Sequence, residues 1–292
     1  MKRQNKESAV DGAILTEPPG GVRRRDEVHA RRTATGIWEE QPLPENPYLA
    51  AACRCHGYDL MQLVQKRGYV EVLYLLFRGE LPSPAQTQLL EALMIGLINL
   101  GPRHPATRAA MNAAVSRTNT GHLLPIALSV LNGAHLGGGE VVAAMRFFLA
   151  HNQMEPRAVA AELLRQTQPP SEGDWHLAPG FGSRFGGIDP LPGQLAAYLS
   201  QLPGAGPALL WGSGFAAALA SQAQGWLSPG VAAAVFTDLG MPPRAGAGLF
   251  QLLSGPGLLA HGLELADKPL TAMPFLDSDH YLIADHAKAK RT

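Results

Sequence analysis

The stretch Pro179-Gly180-Phe181-Gly182-Ser183-Arg184-Phe185-Gly186-Gly187-Ile188-Asp189-Pro190 is the most informative part of this 292-residue chain. Its four closely spaced glycines let the backbone adopt dihedral angles and close approaches that a side chain would prevent. A plain turn would use the same residues. The pattern therefore predicts an irregular loop, whose backbone groups serve either packing or a ligand.

Helical spacing dominates the sequence around this loop. From Gly57 onward, strands with period-two alternation are nearly absent. The apolar run from Tyr69 to Arg78 stops at Gly79, which is typical of a helix end. Ser83 is predicted to cap the next helix, with Pro84 as its first residue. The sequence therefore predicts an all-α protein.

Further helical segments lie on both sides of the loop. Apolar residues between Thr118 and Val130, and again from Val141 to Ala150, flank the break at Gly137-Gly138-Gly139. After the loop, one helix is predicted from Ser228-Pro229 to near Gly240, with Ser228 as its N-cap. Another is predicted from about Ala245 to Leu263, with a kink or split at Gly255-Pro256-Gly257.

Composition narrows the choice of partners and location. The 24 basic and 24 acidic residues give zero formal charge, which offers no electrostatic reason to expect nucleic acid or a membrane surface as partner. Neither a signal peptide nor an apolar run of membrane-spanning length is predicted. The two cysteines, Cys53 and Cys55, cannot form a disulfide framework, so we expect a reducing cytoplasm. Ordinary packing is favoured over a metal site for Cys53-Arg54-Cys55-His56, and no metal is expected.

Residues 1–35 are rich in charge, glycine and proline and lack helical periodicity. A solvated tail is the simpler interpretation of this region. A phosphate- or RNA-binding arm is the alternative, because Arg23-Arg24-Arg25 and Arg31-Arg32 are strongly basic. Residues 271–292 form a second predicted tail.

Several blocks in the right order resemble the citrate synthase superfamily, and most closely its citryl-CoA lyase branch, which includes the synthase-like domain of ATP-citrate lyase. The blocks span roughly residues 36 to 270. They are Thr35-Gly36-Ile37-Trp38, His56-Gly57-Tyr58-Asp59, the helix and turn from Glu71 to Pro82, the loop from Pro179 to Pro190, Asp238 to Pro243, and Pro256 to Glu264. Each block is weak alone, but their collinearity makes the resemblance strong.

The resemblance implies an all-helical, two-domain subunit, normally dimeric, that closes over coenzyme A as substrate or ligand. It places a large domain at residues 36–136 and 229–270, and a small domain at 137–228. The implied reaction forms or cleaves a carbon-carbon bond between an acyl-CoA and a 2-oxo acid, with no tightly bound cofactor. Such chemistry needs a base, an enolate-stabilising donor and an acid, for which the family uses one aspartate and two histidines.

When the catalytic residues of the family are matched one by one to positions of this sequence, the resemblance implies an altered pattern. Leu136 occupies the place of the first family histidine, and His135 is one residue earlier. Ser183 occupies the place of the second, followed by Arg184 as in the family. Pro229 stands where the family has its aspartate base. The candidate catalytic residues are therefore His135, Ser183 and Arg184.

Two further carry-overs concern the ligands. The arginine that some relatives place after Asp-Pro is Leu191 here, which argues against oxaloacetate as the preferred partner. Pro179, Gly180, Phe181 and Gly182 match the segment that presents backbone groups to coenzyme A in the family. We expect these four residues to bind the cofactor portion of the thioester.

Three functional hypotheses follow from this altered pattern. The first is an acyl-CoA lyase or synthase with rearranged catalytic groups. The second is a catalytically degenerate homologue that serves as a CoA-binding, structural or regulatory subunit, either as a homodimer or paired with a related chain. The third is a helical scaffold without a small ligand. Changes at three cooperating positions make citrate synthesis itself the least favoured activity.

Overall fold

The computed structural model describes residues 34–274 together with Asp279 and Tyr281. The predictions for the tails at 1–35 and 271–292 lie largely outside these residues. The described chain is mainly helical, which confirms the predicted all-α class. Its α-helices are α1 (Leu60–Lys66), α2 (Tyr69–Arg78), α3 (Pro84–Leu97), α4 (Pro105–Val115), α5 (Leu123–Leu131), α6 (Gly138–His151), α7 (Pro156–Gln166), α8 (Pro190–Leu199), α9 (Pro207–Leu219), α10 (Ser228–Asp238) and α11 (Pro243–Leu265).

A small antiparallel sheet precedes the helices and was not predicted from the sequence. It consists of β1 (Trp38–Pro42), β2 (Ala50–Cys55) and β3 (Tyr58–Asp59), in that order. Most of its side chains are exposed, so it lacks the apolar alternation that would mark strands. Cys55 is buried in a small cluster with Leu63 and Leu75, as the packing interpretation of the cysteines expects.

The ends of α2 and α3 confirm the local predictions. Gly79 ends α2 in the left-handed conformation, with φ of 76°. The Ser83 hydroxyl accepts a hydrogen bond from the backbone N–H of Gln86, and the Gln86 side chain accepts one from the backbone N–H of Ser83. This reciprocal capping and the proline at the first helical position fix the start of α3.

The core surrounds α10, whose residues 229–236 are all buried. Aromatic rings from several elements pack beside it: Phe147, Phe148, Phe181, Trp211, Phe215 and Trp226. Phe181 belongs to β4 (Phe181–Gly182), which pairs with β5 (Gly225–Trp226) directly before α10. The glycine-rich loop from Pro179 to Pro190 is thereby joined to the centre of the molecule.

Gly180 and Gly230 hold this loop against the first turn of α10. A Cβ on Gly230 would lie 2.1 Å from the carbonyl oxygen of Gly180, and a Cβ on Gly180 would lie 2.4 Å from the Cα of Gly230. Gly180 also has a φ of 82°. The close backbone approach predicted for these glycines therefore serves contact between the loop and α10.

Helix α11 passes through Pro256 as one continuous helix, so of the two predicted alternatives at Gly255-Pro256-Gly257 the split is wrong, and the kink stays a prediction. Pro256 has no N–H to donate, and the N–H of Gly257 donates to the carbonyl of Ile98 at 2.9 Å. An outside carbonyl thus satisfies the donor next to the proline. None of the helices in the described ranges is long and apolar enough to cross a membrane.

The predicted division into domains at 136/137 and 228/229 stays a prediction. One continuous cluster of buried side chains includes Leu89, Phe148 and Val231, which come from the three parts of that division.

Candidate functional site

A cavity of about 270 Å³ lies where α3, α8 and α10 meet three loops. Its wall combines apolar side chains with a few polar ones. The lining residues are Gly96, Leu97, Asn99, Leu100, Gly101, Pro102, Arg103, His104, Leu136, Arg184, Phe185, Asp189, Leu191, Pro192, Leu195, Ser228 and Pro229. Residues 136, 184 and 229 are distant in sequence, so the fold itself builds this cavity.

His104 lines the cavity and is held in place by two hydrogen bonds. Its Nδ1 accepts from the backbone N–H of Ala106 at 3.2 Å and so caps α4. Its Nε2 then carries the proton and donates to the carbonyl of Leu136 at 3.0 Å. Burial lowers the pKa of His104, and the nearby positive charge of Arg184 lowers it further, although the bond to Leu136 acts in the opposite direction. His104 is thus a neutral structural clamp.

Leu136 and His135 point to different surroundings. Leu136 lines the cavity and has a φ of 58°, a left-handed conformation that is strained for leucine. His135 is exposed and does not line the cavity. Its ring packs edge-on against His176, with ring centroids 4.8 Å apart. A one-residue shift along the chain has therefore moved the imidazole away from the cavity.

Glu140, in the first turn of α6, is only 3% exposed and accepts three hydrogen bonds. Its Oε2 accepts from the N–H of Leu136 at 2.5 Å. Its Oε1 accepts from the N–H of Gly180 at 3.1 Å and from Nδ1 of His176 at 2.9 Å. We call this carboxylate and its three donors the Glu140 junction. It connects three parts of the chain: the loop that contains Leu136, the loop from Pro179 to Gly187, which we call the glycine loop, and His176.

The glycine loop is fixed on both sides. Phe181 is fully buried, and Gly182 pairs with Gly225. The carbonyl of Gly180 accepts a hydrogen bond from the N–H of Leu227 at 2.9 Å. Pro179 is partly exposed. Several backbone groups of the predicted cofactor-binding residues are therefore engaged in holding the loop in place.

Ser183 and Arg184 are neighbours with different environments. Ser183 is 6% exposed, and its hydroxyl oxygen accepts from the N–H of Trp175 at 2.9 Å. Arg184 lines the cavity, and its guanidinium lies 5.0 Å from the centre of the Phe185 ring. Its Nε forms an ion pair with the Oδ2 of Asp174 at 3.7 Å, is itself buried and makes no hydrogen bond within the described residues. Because 17% of its side chain is exposed, Arg184 still presents a positive charge to the cavity.

Pro229 lines the cavity at the start of α10 and has no group that can remove a proton. Ser228 is itself the first helical residue, and the N-cap is Leu227, so the prediction that Ser228 caps α10 is wrong. The carbonyl of Gly180 accepts a hydrogen bond from the N–H of Leu227, the residue directly before α10. The Ser228 hydroxyl is left at the cavity wall.

Asp238, at the far end of α10, performs a structural task. Its carboxylate accepts from the backbone N–H groups of Gly206, Ala208 and Leu209 at 3.1, 2.8 and 3.0 Å, and so caps α9. Burial raises the pKa of Asp238, and these three hydrogen bonds act in the opposite direction. The side chain does not replace the carboxylate missing at Pro229.

Sequence reasoning missed three residues of this region. Glu140 follows three glycines at a helix start, where an acidic residue suits the helix dipole, and that was the available signal. His176 carried no local signal. Asp189 caps α8 through its bond with the N–H of Leu191 at 3.2 Å, and it also places a carboxylate in the cavity wall. No group of three metal-ligating side chains occurs in the described part of the chain.

Solved structures share this arrangement of helices. Citryl-CoA lyase from Hydrogenobacter thermophilus matches 87% of this chain and 95% of its own, with a TM-score of 0.69 and 23% identity. ATP citrate lyase from Methanothrix soehngenii, solved with citrate and coenzyme A, matches 89% of this chain but only 44% of its own, with a TM-score of 0.64 and 17% identity.

A citrate synthase from Thermoplasma acidophilum, solved as a ternary complex with carboxymethyl coenzyme A and oxaloacetate, also matches. The match covers 76% of this chain and 60% of that one, with a TM-score of 0.54 and 17% identity. No protein-family model and no curated protein matches the sequence. At these identities the likeness establishes the fold.

Proposed function

We propose, from the citrate synthase fold of this chain, that it binds an acyl-CoA thioester and forms or cleaves a carbon-carbon bond between that acyl-CoA and a 2-oxo acid. The observation that carries the proposal is the cavity itself. Leu136 and Pro229, two of the three positions to which the resemblance assigns catalytic groups, line one cavity together with Arg184 although they are far apart in sequence. Ser183, the third position, does not line it. The volume of the cavity suits a small molecule.

Arg184 is the side chain we assign to contact with substrate. It lines the cavity, carries a permanent positive charge and has 17% of its side chain exposed, so its guanidinium can bind a carboxylate or polarise a carbonyl. Asp189 is the carboxylate of the cavity wall and is our candidate for the base. Ser183 and His135 are assigned positioning roles, because each lies beside a lining residue without lining the cavity itself.

Pro179, Gly180, Phe181 and Gly182 are proposed to support coenzyme A. The loop is rigid because it is anchored to Glu140, Gly225 and Leu227, and a rigid loop loses little conformational freedom when a ligand binds. The part of the ligand that rests on it is proposed to be the nucleotide end of the thioester.

A second candidate function is a degenerate CoA-binding, structural or regulatory subunit. The specific observation in its favour is the chemistry of the cavity wall. Leu136 and Pro229 replace two groups that the reaction would use, and the Ser183 hydroxyl is buried in a bond to Trp175. Both candidates include binding of the thioester, and they differ in turnover.

Calorimetric titration of the full chain with CoA, acetyl-CoA and citryl-CoA tests the proposal, followed by a thioester-cleavage assay on the same sample. Binding with turnover supports the enzyme, and binding without turnover supports the subunit. Absence of binding by all three compounds overturns both. Arg184→Gln is expected to lower turnover at least tenfold, whereas Arg146→Gln, at an exposed position on α6, leaves it unchanged.

We further propose that the chain works in the cytoplasm as a homodimer or paired with a related subunit. Residues 137–228 are proposed to move against the rest when ligand binds, since closure of this kind excludes water from a site. Light scattering with and without CoA tests the assembly.

A further inference from the structure

The cavity wall combines apolar side chains with a few charged and neutral polar ones. Its apolar members surround the space on several sides: Leu97, Leu100, Pro102, Leu136, Phe185, Leu191, Pro192, Leu195 and Pro229. Three lining side chains are charged: Arg103, Arg184 and Asp189. The volume of about 270 Å³ is at the small end of the range usual for ligand sites, so the occupant is small.

The positive charges of this wall differ in burial. Arg184 has 17% of its side chain exposed, and its Nε has no hydrogen-bond acceptor among the described residues. Asp174 is 3.7 Å away, too far for a hydrogen bond. Arg103 is exposed, so water and salt weaken its attraction for an anion. One mostly buried guanidinium therefore offers one good position for a carboxylate.

A second carboxylate on the ligand would find a weaker partner. Away from Arg184 it would meet the exposed Arg103, neutral polar side chains such as Asn99 and Ser228, leucines such as Leu136 and Leu195, or the like charge of Asp189. A charge that loses water without gaining a strong partner is costly. A branched hydrocarbon group in the same place would gain contact with the leucines.

We infer that the cavity takes a small organic acid with one carboxylate and a branched aliphatic body. The carboxylate binds Arg184, and the hydrocarbon part fills the space between Leu136 and Leu195. A branched-chain 2-oxo acid has this chemistry. The inference rests on the proposed function for its thioester partner and names the class of acid that the same site accepts.

Calorimetric titration with 4-methyl-2-oxopentanoate and with oxaloacetate tests this assignment, both in the absence of CoA and at saturating CoA. We expect the branched acid to bind at least about tenfold more tightly than oxaloacetate, because its hydrocarbon body is buried against leucines and no second charge is left with a weak partner. Equal affinities, tighter binding of oxaloacetate, or no binding of either acid overturns the inference.

Leu191→Arg sharpens the test. Leu191 is 66% exposed in the first turn of α8, so an arginine fits there without disturbing the core. It supplies a second cation at the cavity rim and is expected to improve oxaloacetate binding at least fivefold. Leu210→Arg is the matched control, since Leu210 is 57% exposed on α9 and does not line the cavity. Equal effects of the two variants count against the inference.

Arg184→Gln is expected to weaken binding of the branched acid at least tenfold, because its one carboxylate loses its partner. Full binding by this variant contradicts the assignment of the carboxylate. Failure of acid binding with intact CoA binding defeats the inference alone. Loss of CoA binding by the unmodified chain defeats the proposed function.

Discussion

The Glu140 junction and the cavity wall lie side by side, but they differ in how far their polar groups have hydrogen-bond partners. At the junction, one buried carboxylate accepts three hydrogen bonds, from Leu136, Gly180 and His176. In the wall, the Nε of Arg184 has no acceptor, and Leu136 and Pro229 occupy places where the resemblance expects reactive groups. Leu136 belongs to both, with its backbone in the junction and its side chain in the cavity.

This difference separates scaffold from chemistry. Satisfied buried polar groups fix a unique arrangement, whereas a cavity wall with few paired polar groups places little constraint on its own side chains. The junction therefore maintains the shape of the site whether or not the site still catalyses. Substitutions in the scaffold are expected to reduce stability, and substitutions in the wall to alter binding.

Gly230→Ala is expected to have the largest effect, because its Cβ would lie 2.1 Å from the carbonyl oxygen of Gly180. Both partners are backbone, so neither can move aside cheaply. We expect a loss of about 3 kcal/mol in the free energy of unfolding, at the upper end for overpacking. Urea denaturation measures it.

Gly248→Ala is the matched control for this substitution. Gly248 is also helical, and a Cβ there meets nothing within 4 Å. Its free energy of unfolding should rise by about 0.5 kcal/mol, since alanine favours the helix. Similar losses in the two variants would mean that the contact between the loop and α10 is not the reason.

Glu140→Gln tests the junction with little change of shape. The amide cannot accept on both sides, so one donor among Leu136, Gly180 and His176 loses its partner. A loss of about 2 kcal/mol in the free energy of unfolding is expected, because the lost bond is to a charged group. Thermal and urea unfolding measure it.

The control is Glu91→Gln, on the exposed side of α3, which should leave stability unchanged. The glycine loop should also loosen in Glu140→Gln, seen as faster amide hydrogen exchange at Gly180. Retention of full protection there would contradict the role given to Glu140.

Stability should fall on acidification through His104. Because the folded pKa of His104 is lowered, the unfolded chain takes up the proton more readily than the folded one. The stabilisation is therefore complete at pH values above the ordinary value of about 6.5 and is lost as the pH falls below it.

His104→Asn keeps a capping side chain on α4 but removes the imidazole and its bond to Leu136. At pH 7.5 it should cost about 1 kcal/mol in the free energy of unfolding. The difference from the unmodified chain should shrink toward pH 5.5 in urea titrations. A constant difference across that range would show that His104 is not the titrating group.

Much of the fold was readable from the sequence because its signals are local. Gly79 ends α2, and Ser83 with Pro84 begins α3, through contacts within a few residues. Strands β1 and β2 were missed because their exposed side chains have no alternating pattern. The cap of α10 was assigned to Ser228, whereas the N-cap is Leu227, whose N–H donates to the carbonyl of the distant Gly180.

The site was predictable only in part, because most of its contacts join residues that are distant in sequence. Comparison of motifs pointed to positions 136, 183 and 229, and the fold places 136 and 229 in the wall of one cavity beside Arg184, whereas Ser183 does not line it. The Glu140 junction depends on partners at positions 176 and 180, whose approach no local pattern encodes. His135 was a candidate because it lies next to Leu136 in sequence, but backbone geometry directs the two side chains to different places.

The smallest expected effect comes from comparing backbone strain at the cavity wall with backbone strain at an exposed position outside it. Leu136 and Ala223 both have left-handed backbones, with φ of 58° and 55°. Ala223→Gly removes the strain at an exposed position and should raise the free energy of unfolding by about 0.5–1 kcal/mol. Leu136→Gly relieves similar strain but loses apolar contact in the cavity wall, so the two terms should nearly cancel. If Leu136→Gly stabilised the protein as much as Ala223→Gly, the Leu136 side chain would contribute nothing to packing, and its place in the cavity would then be explained only by a ligand.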